Sequence, residues 1–247
     1  MTRLPARFAD RAAAGRMLAE RVERLGLPDP VVLGLPRGGV PIARCVADRL
    51  GVPAEVFVAR KIALPGAPEV GVAAIAEGSE EIVPSPFAGG YSTEPDRLAG
   101  PAAAQRRELR RRVAAYRGER VLPEPAGRDV VLVDDGLATG VTATAAVRAL
   151  RRRDPRALVF AAPVCAPDAL ERLAGLVDAV VSLLTPPDFA AVGQWYERFE
   201  QLEDAEVVRL LEWARPRSAQ AGRERVGERE QHAVHGGPGT EPARPGG

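Results

Sequence analysis

Residues 130–150 read VVLVDDGLATGVTATAAVRAL. Four apolar residues, three of them valine, run straight into two adjacent aspartates. A short loop of Gly, Ala and Thr follows, and then apolar positions at helical spacing. The spacing predicts a strand over 129–134 and a helix over 141–153. A short continuous apolar run suits a strand covered on both faces, as in a parallel sheet. The two carboxylates and the loop therefore stand at the carboxyl end of a buried strand, where a helix begins.

The same alternation extends in both directions. VVLGL (31–35) ends in PRGG and leads into helix-like VPIARCVADRL, which stops at Gly51; AEVFVA (54–59) is a second strand candidate. Beyond the central motif come strand 157–164, helix 167–175, strand 178–184 and a last helix near 204–214. A helix is also expected over 8–26, and another over 102–118 whose arginines form a solvated face. The stretch 62–100 is rich in Gly and Pro and broken by short alternating runs, which predicts strand pairs and a mobile loop. Short strands alternating with helices give an α/β fold, a mainly parallel twisted sheet flanked by helices. Ligands in such sheets sit beyond the carboxyl ends of the strands. PRGG and DDGLATG both occupy that position, so they should form one site.

Composition narrows the chemistry. The formal net charge of +1 gives no bulk attraction to nucleic acid, which is not expected as a partner. No apolar run approaches a membrane span and the start lacks a signal-peptide core, so a cytoplasmic protein is expected. Cys45 and Cys165 are far apart and read as two buried thiols. Both histidines, His232 and His235, fall in a Gly-, Pro- and charge-rich tail, 216–247, that reads as disordered. The globular part therefore has no histidine for a Ser-His-Asp arrangement or a His-based metal site. Neither a G-x-S-x-G elbow nor a G-x-x-x-x-G-K-[ST] loop is present.

The loop itself suits a phosphate monoester. Ala138, Thr139, Gly140, Val141 and Thr142 at a helix start offer unpaired N–H groups, two hydroxyls and the positive end of the helix dipole. Asp134 and Asp135, followed by Gly136, would repel that phosphate but suit a vicinal diol or a magnesium ion. A phosphate next to a diol describes a ribose 5-phosphate. The plainer reading is an Asp-Gly turn with a threonine cap. Lys61, in VARKIALPG, is the one lysine beside 33 arginines, a compact charge suited to a phosphate oxygen.

VVLVDDGLATGVTA resembles the signature by which type I phosphoribosyltransferases bind 5-phosphoribosyl 1-diphosphate (PRPP), and GLPRGGVPIA (34–43) resembles their pyrophosphate loop. The resemblance, with ARKI and TPPDFAAVGQWYERF, is nearest to bacterial members without an assigned acceptor and covers about 8–214. It implies that Asp134 and Asp135 hold the ribose hydroxyls, with Mg2+ as cofactor, and that 138–142 wraps the 5′-phosphate. It implies a non-proline cis peptide at Pro36–Arg37, with Arg37, Gly38, Gly39 and Lys61 meeting the diphosphate and a segment from 64 to 83 closing over it. A domain over 1–215 is expected, with a core at about 28–184 and a hood from 8–27 and 185–214. Phe189 in the hood is the expected stacking platform for a flat acceptor. Hypoxanthine-guanine enzymes of this family carry an Asp where Ala138 stands, so the acceptor stays open. The expected partners are PRPP and an unknown acceptor, with a homodimer as the expected assembly. Two readings stand beside this one: purine-base salvage, and a PRPP-sensing regulator that uses the Arg-rich helix as a contact surface.

Overall fold

A computed structural model describes residues 6–64, 67–86, 88 and 95–213. The tail from 216 onward, read above as disordered, lies outside the described residues, as does the stretch 89–94.

Five strands make one parallel sheet: β1 (Pro30–Gly34), β2 (Ala54–Val56), β6 (Asp129–Val133), β7 (Ala157–Val164) and β8 (Ala179–Leu184), in the order β2-β1-β6-β7-β8. Every residue of β6 is buried, as a run of Val and Leu at the middle of a doubly covered sheet requires. Alternate side chains feed two cores. Leu33, Val130, Leu132, Leu158 and Phe160 face α4 (Val141–Arg151) and α5 (Pro167–Ala174). Val32, Val131, Val133 and Val159 face α1 (Arg11–Glu23) and α2 (Gly39–Leu50). The Asp10 carboxylate caps α1 by accepting the Ala13 N–H at 2.8 Å.

A second sheet is antiparallel, β3 (Ala59–Leu64), β4 (Ala67–Ala76) and β5 (Val83–Pro84) in that order. It packs with α3 (Pro95–Arg117) and α6 (Asp204–Trp213) through Val58, Ile62, Ile75, Leu98, Tyr116 and Val207. Arg117 ties α3 to this sheet by donating to Glu77 and to the Val56 carbonyl, each at 2.8 Å.

Two expectations are revised here. The run 54–59 is not one strand: β2 ends at Val56 and β3 begins at Ala59, because the chain changes partners. Phe57 still donates to Gly34 in the parallel sheet, whereas Val58 accepts from Glu77 in the other. The segment 64–83, expected as a closing loop, is largely strand, since β4 alone occupies 67–76; residues 65–66 lie outside the described residues. Of the two cysteines, both free, Cys165 is buried but Cys45 only partly so. No described helix is long and apolar enough to cross a membrane.

The foot of β6 is fixed by a charge. Asp129, 2% exposed, accepts from Arg156 at 2.8 and 2.5 Å and from the Asp29 N–H at 3.2 Å. The Arg156 hydrogen bonds hold its carboxyl below the usual range against the opposing effect of burial. A lowered carboxylate stabilises the fold at neutral pH and loses that contribution as acid protonates it. Asp129→Asn should therefore cost about 2 kcal/mol at neutral pH, with the deficit shrinking as pH falls below about 4. Denaturant titrations at both pH values check this.

Candidate active site

The order β2-β1-β6 makes β1 and β6 neighbours whose chains leave in opposite senses along the sheet. Their loops open a crevice there, the place where such sheets take ligands. Gly34 pairs with Val133 in register, and the Leu35 N–H donates to the Val133 carbonyl at 2.8 Å. PRGG and DDGLATG thus emerge side by side.

Their contact leaves no room for a side chain. A Cβ on Gly38 would fall within the Asp135 carboxylate, and one on Gly39 would lie 2.5 Å from the Val133 carbonyl oxygen and 2.9 Å from the Asp134 Cα. The Pro36–Arg37 peptide is cis, as the resemblance implied. Gly39, however, donates its N–H to Leu35 at 2.9 Å and Val40 donates to Arg37 at 3.2 Å. Among the described residues the N–H groups of Arg37 and Gly38 meet no backbone acceptor on this loop, whereas that of Gly39 does.

On the facing loop, Gly140 takes a left-handed φ of 76° and turns the chain into α4. The N–H groups of Ala138, Thr139, Gly140, Val141 and Thr142 meet no backbone acceptor among the described residues. Five donors at a helix start make a cradle for an anion. Gly136 packs against Val192 of the short 3-10 turn Val192–Trp195; an added Cβ would come within 2.5 Å of it.

The two carboxylates are strained electrostatically. Burial, and then the charge of Asp135, push the Asp134 carboxyl well above its usual range; Lys61 pulls it down. Burial also raises Asp135, opposed by Arg11. The Asp135 N–H donates to Asp134 Oδ1 at 2.8 Å, and Arg11 Nε lies 2.9 Å from Asp135 Oδ2. Such a pair gains from any cation or hydroxyl hydrogens delivered to it.

The remaining expected residues fall around this centre. Lys61 is exposed on β3, its stem against Gly71, where a Cβ would sit 3.3 Å from its Cδ. Arg37 lies 3.6 Å from Asp204, which also accepts from Tyr116 at 2.6 Å and Arg111 at 3.2 Å. Phe189 is partly buried and, like Phe199, packs on the core that includes Tyr196.

A model of the phosphoribosyl transferase domain matches residues 8–193. The chain belongs to this family. Two Mycobacterium tuberculosis proteins (strains CDC 1551 / Oshkosh and H37Rv), provisionally named phosphoribosyl transferases, are each 41% identical over 215 residues, 87% of this chain and 48% of theirs. The chain therefore spans about half the length of the curated relatives it matches. The crystal structure of TT1426 from Thermus thermophilus is 47% identical, covers 83% of this chain and 97% of that one, and superposes with a TM-score of 0.70.

In this member of the family the core is a parallel five-stranded sheet flanked by helices. A magnesium ion carried on a diphosphate asks for one or two carboxylates, and Asp134 and Asp135 fit that demand. Among the described residues no three His, Cys, Asp or Glu side chains gather as a metal cluster.

Sequence reasoning missed Arg11, Asp204 and Val192. Tyr196 is 2% exposed, and its hydroxyl donates to the Asp135 carbonyl at 2.6 Å. The N-terminal segment is joined to 195–197: the Phe8 N–H donates to the Trp195 carbonyl and its carbonyl accepts from the Glu197 N–H, both at 2.8 Å.

The glycine contacts yield a contrast. Gly39→Ala, which meets backbone, should destabilise by about 1–3 kcal/mol. Gly100→Ala in α3, with nothing within 4 Å of the new carbon, should stabilise by about 0.5–1 kcal/mol. Thermal or urea melts of the two variants compare them directly.

Proposed function

We propose that this chain transfers the 5-phosphoribosyl group from PRPP to a nucleophilic acceptor, releasing pyrophosphate. The supporting observation is the contact of two loops at neighbouring strand ends: one carries five N–H groups without a backbone acceptor among the described residues beside two carboxylates, the other is pressed against that loop through Gly38 and Gly39. A ribose 5-phosphate bearing a diphosphate has the charge pattern that matches this arrangement.

In this reading the 138–142 cradle takes the 5′-phosphate, and Asp134 and Asp135 accept hydrogen bonds from the ribose hydroxyls. Arg37, Lys61 and the Gly38 N–H face the diphosphate. The bond from C1 to the diphosphate oxygen breaks first, leaving a cationic ribose; the acceptor then bonds to C1 and gives up its proton. The protein contributes mainly by holding the ribose and by fixed positive charge where pyrophosphate gains negative charge. Mg2+, when bound, supplies further neutralisation of the diphosphate. Asp204 competes for Arg37, so diphosphate has to draw that guanidinium from a partly exposed pair at 3.6 Å, which costs little.

The acceptor is not a standard purine salvage substrate in this reading, because Ala138 offers no carboxylate for proton transfer at the base. General acid–base help is worth about 10²–10⁴-fold. A regulator acting through the arginines of α3 is less favoured: Arg106, Arg111 and Arg112 are engaged with Glu80, Glu108 and Asp204.

Pyrophosphate release from PRPP, assayed against a library of bases and amines, tests the assignment; release dependent on one acceptor supports it, and none with any acceptor removes it. PRPP with Mg2+ at a hundred times its Kd should stabilise the fold by about 2.7 kcal/mol. Asp135→Asn should stay folded and lose most of that shift. Lys61→Arg should keep part of the binding but turn over more slowly, since charge persists without the compact fit. Hypoxanthine, if accepted, should react slowly, and Ala138→Asp should speed it only if purine is the true acceptor.

A further inference from the structure

Arg11 opens α1, 124 residues from the aspartate it meets. Its Nε donates to Asp135 Oδ2 at 2.9 Å, its Nη1 donates to the Glu200 carbonyl at 2.9 Å, and its Cζ lies 3.8 Å above the Phe199 ring. The side chain is 13% exposed. Edge, end and face of one guanidinium are all in use, which an ammonium could not reproduce. Phe199 in turn stacks on Tyr196, ring centroids 4.9 Å apart, and Tyr196 holds the backbone carbonyl of Asp135 at 2.6 Å. Asp135 is thus held twice, at its carboxylate by Arg11 and at its main chain by Tyr196, and the segment 195–200 engages Arg11 as well. Arg11 also lines a cleft of about 520 Å³ with Arg44, Arg198, Glu200, Glu206 and Arg209, and so links that cleft to the carboxylate pair.

We propose that Arg11 is a positioning residue for the phosphoribosyl group, fixing the Asp135 carboxylate in the orientation that receives the ribose and tying it to the hood. The inference rests on the assignment of Asp135 to the ribose hydroxyls. Two adjacent carboxylates repel, and an aspartate without a fixed counter-charge would turn its oxygens away from its neighbour. Arg11 prevents this while using one of the lone-pair positions on Asp135, leaving others for hydroxyl hydrogens. A neutral diol brings no charge, so the guanidinium keeps its place when the ribose arrives instead of leaving as an exchangeable counter-ion. The hood and the ribose site then move as one unit. Among the described residues Arg11 makes no hydrogen bond or ion pair with the PRGG loop, so the larger effect is expected on ligands that carry a ribose.

Calorimetric titration of the full chain with PRPP and Mg2+, or with inorganic pyrophosphate in the absence of the metal, separates these possibilities. For Arg11→Met we expect about a tenfold weaker PRPP Kd and a pyrophosphate Kd within about twofold of wild type. Arg11→Lys keeps charge without the fork and should fall between wild type and Arg11→Met for PRPP; it also serves if the methionine variant does not fold. Equal loss for both ligands in the folded variants would mean general damage to the site and overturn the proposal, as would PRPP affinity unchanged in both. Failure of the wild-type protein to bind PRPP is a separate outcome: it removes the substrate assignment itself, and Arg11's role with it.

Discussion

Everything at the site depends on how closely two backbones approach. β1 and β6 are parallel neighbours, and the loops that leave them are pressed together where Gly38 and Gly39 meet Val133, Asp134 and Asp135. The approach is possible because neither glycine has a side chain. It places one loop's N–H group and the facing loop's carboxylates within the span of a single sugar phosphate. The sheet supplies the rigidity: Val31, Leu33, Val130 and Leu132 face one core, Val32, Val131 and Val133 the other, and a strand packed from both sides cannot shift without opening a void.

A carboxylate pair held in this way carries an electrostatic cost, and the surrounding chain offsets it unevenly. Asp135 has a guanidinium at 2.9 Å, whereas Asp134 has the more distant Lys61 and the N–H of its neighbour. The asymmetry suits a ligand that brings hydroxyl hydrogens and a cation together. It also explains why the hood, otherwise a small cluster of aromatic residues, is built around Arg11 and Tyr196. Both reach Asp135 from outside the two loops, and the segment 195–200 joins them.

Much of this was legible in the sequence, for a physical reason. A parallel strand buried on both faces has to be apolar throughout, so VVLGL and VVLV announce themselves, and the residues after them mark the site. The positions of Asp134, Asp135 and the 138–142 cradle followed from the same reading. What the sequence concealed depends on contacts between distant segments. Arg11 looks like any first-turn helix residue until the fold brings it beside Asp135, and Asp204 is an ordinary helix-start aspartate until Arg37, Arg111 and Tyr116 converge on it. The break between β2 and β3 carries no punctuation, because 54–59 is nearly all apolar and only the change of partner sheet ends one strand. A glycine in a strand reads as a breaker, but in β4 Gly71 makes room for the stem of Lys61.

The central claim is that the two loops form one site for one molecule. Competition calorimetry tests it most directly, with PRPP and Mg2+ titrated into protein pre-saturated with either ribose 5-phosphate or pyrophosphate. The account predicts that each fragment suppresses PRPP binding and that PRPP binds more tightly than either fragment alone. Undiminished PRPP affinity in the presence of saturating pyrophosphate, or PRPP binding no tighter than ribose 5-phosphate, would contradict it.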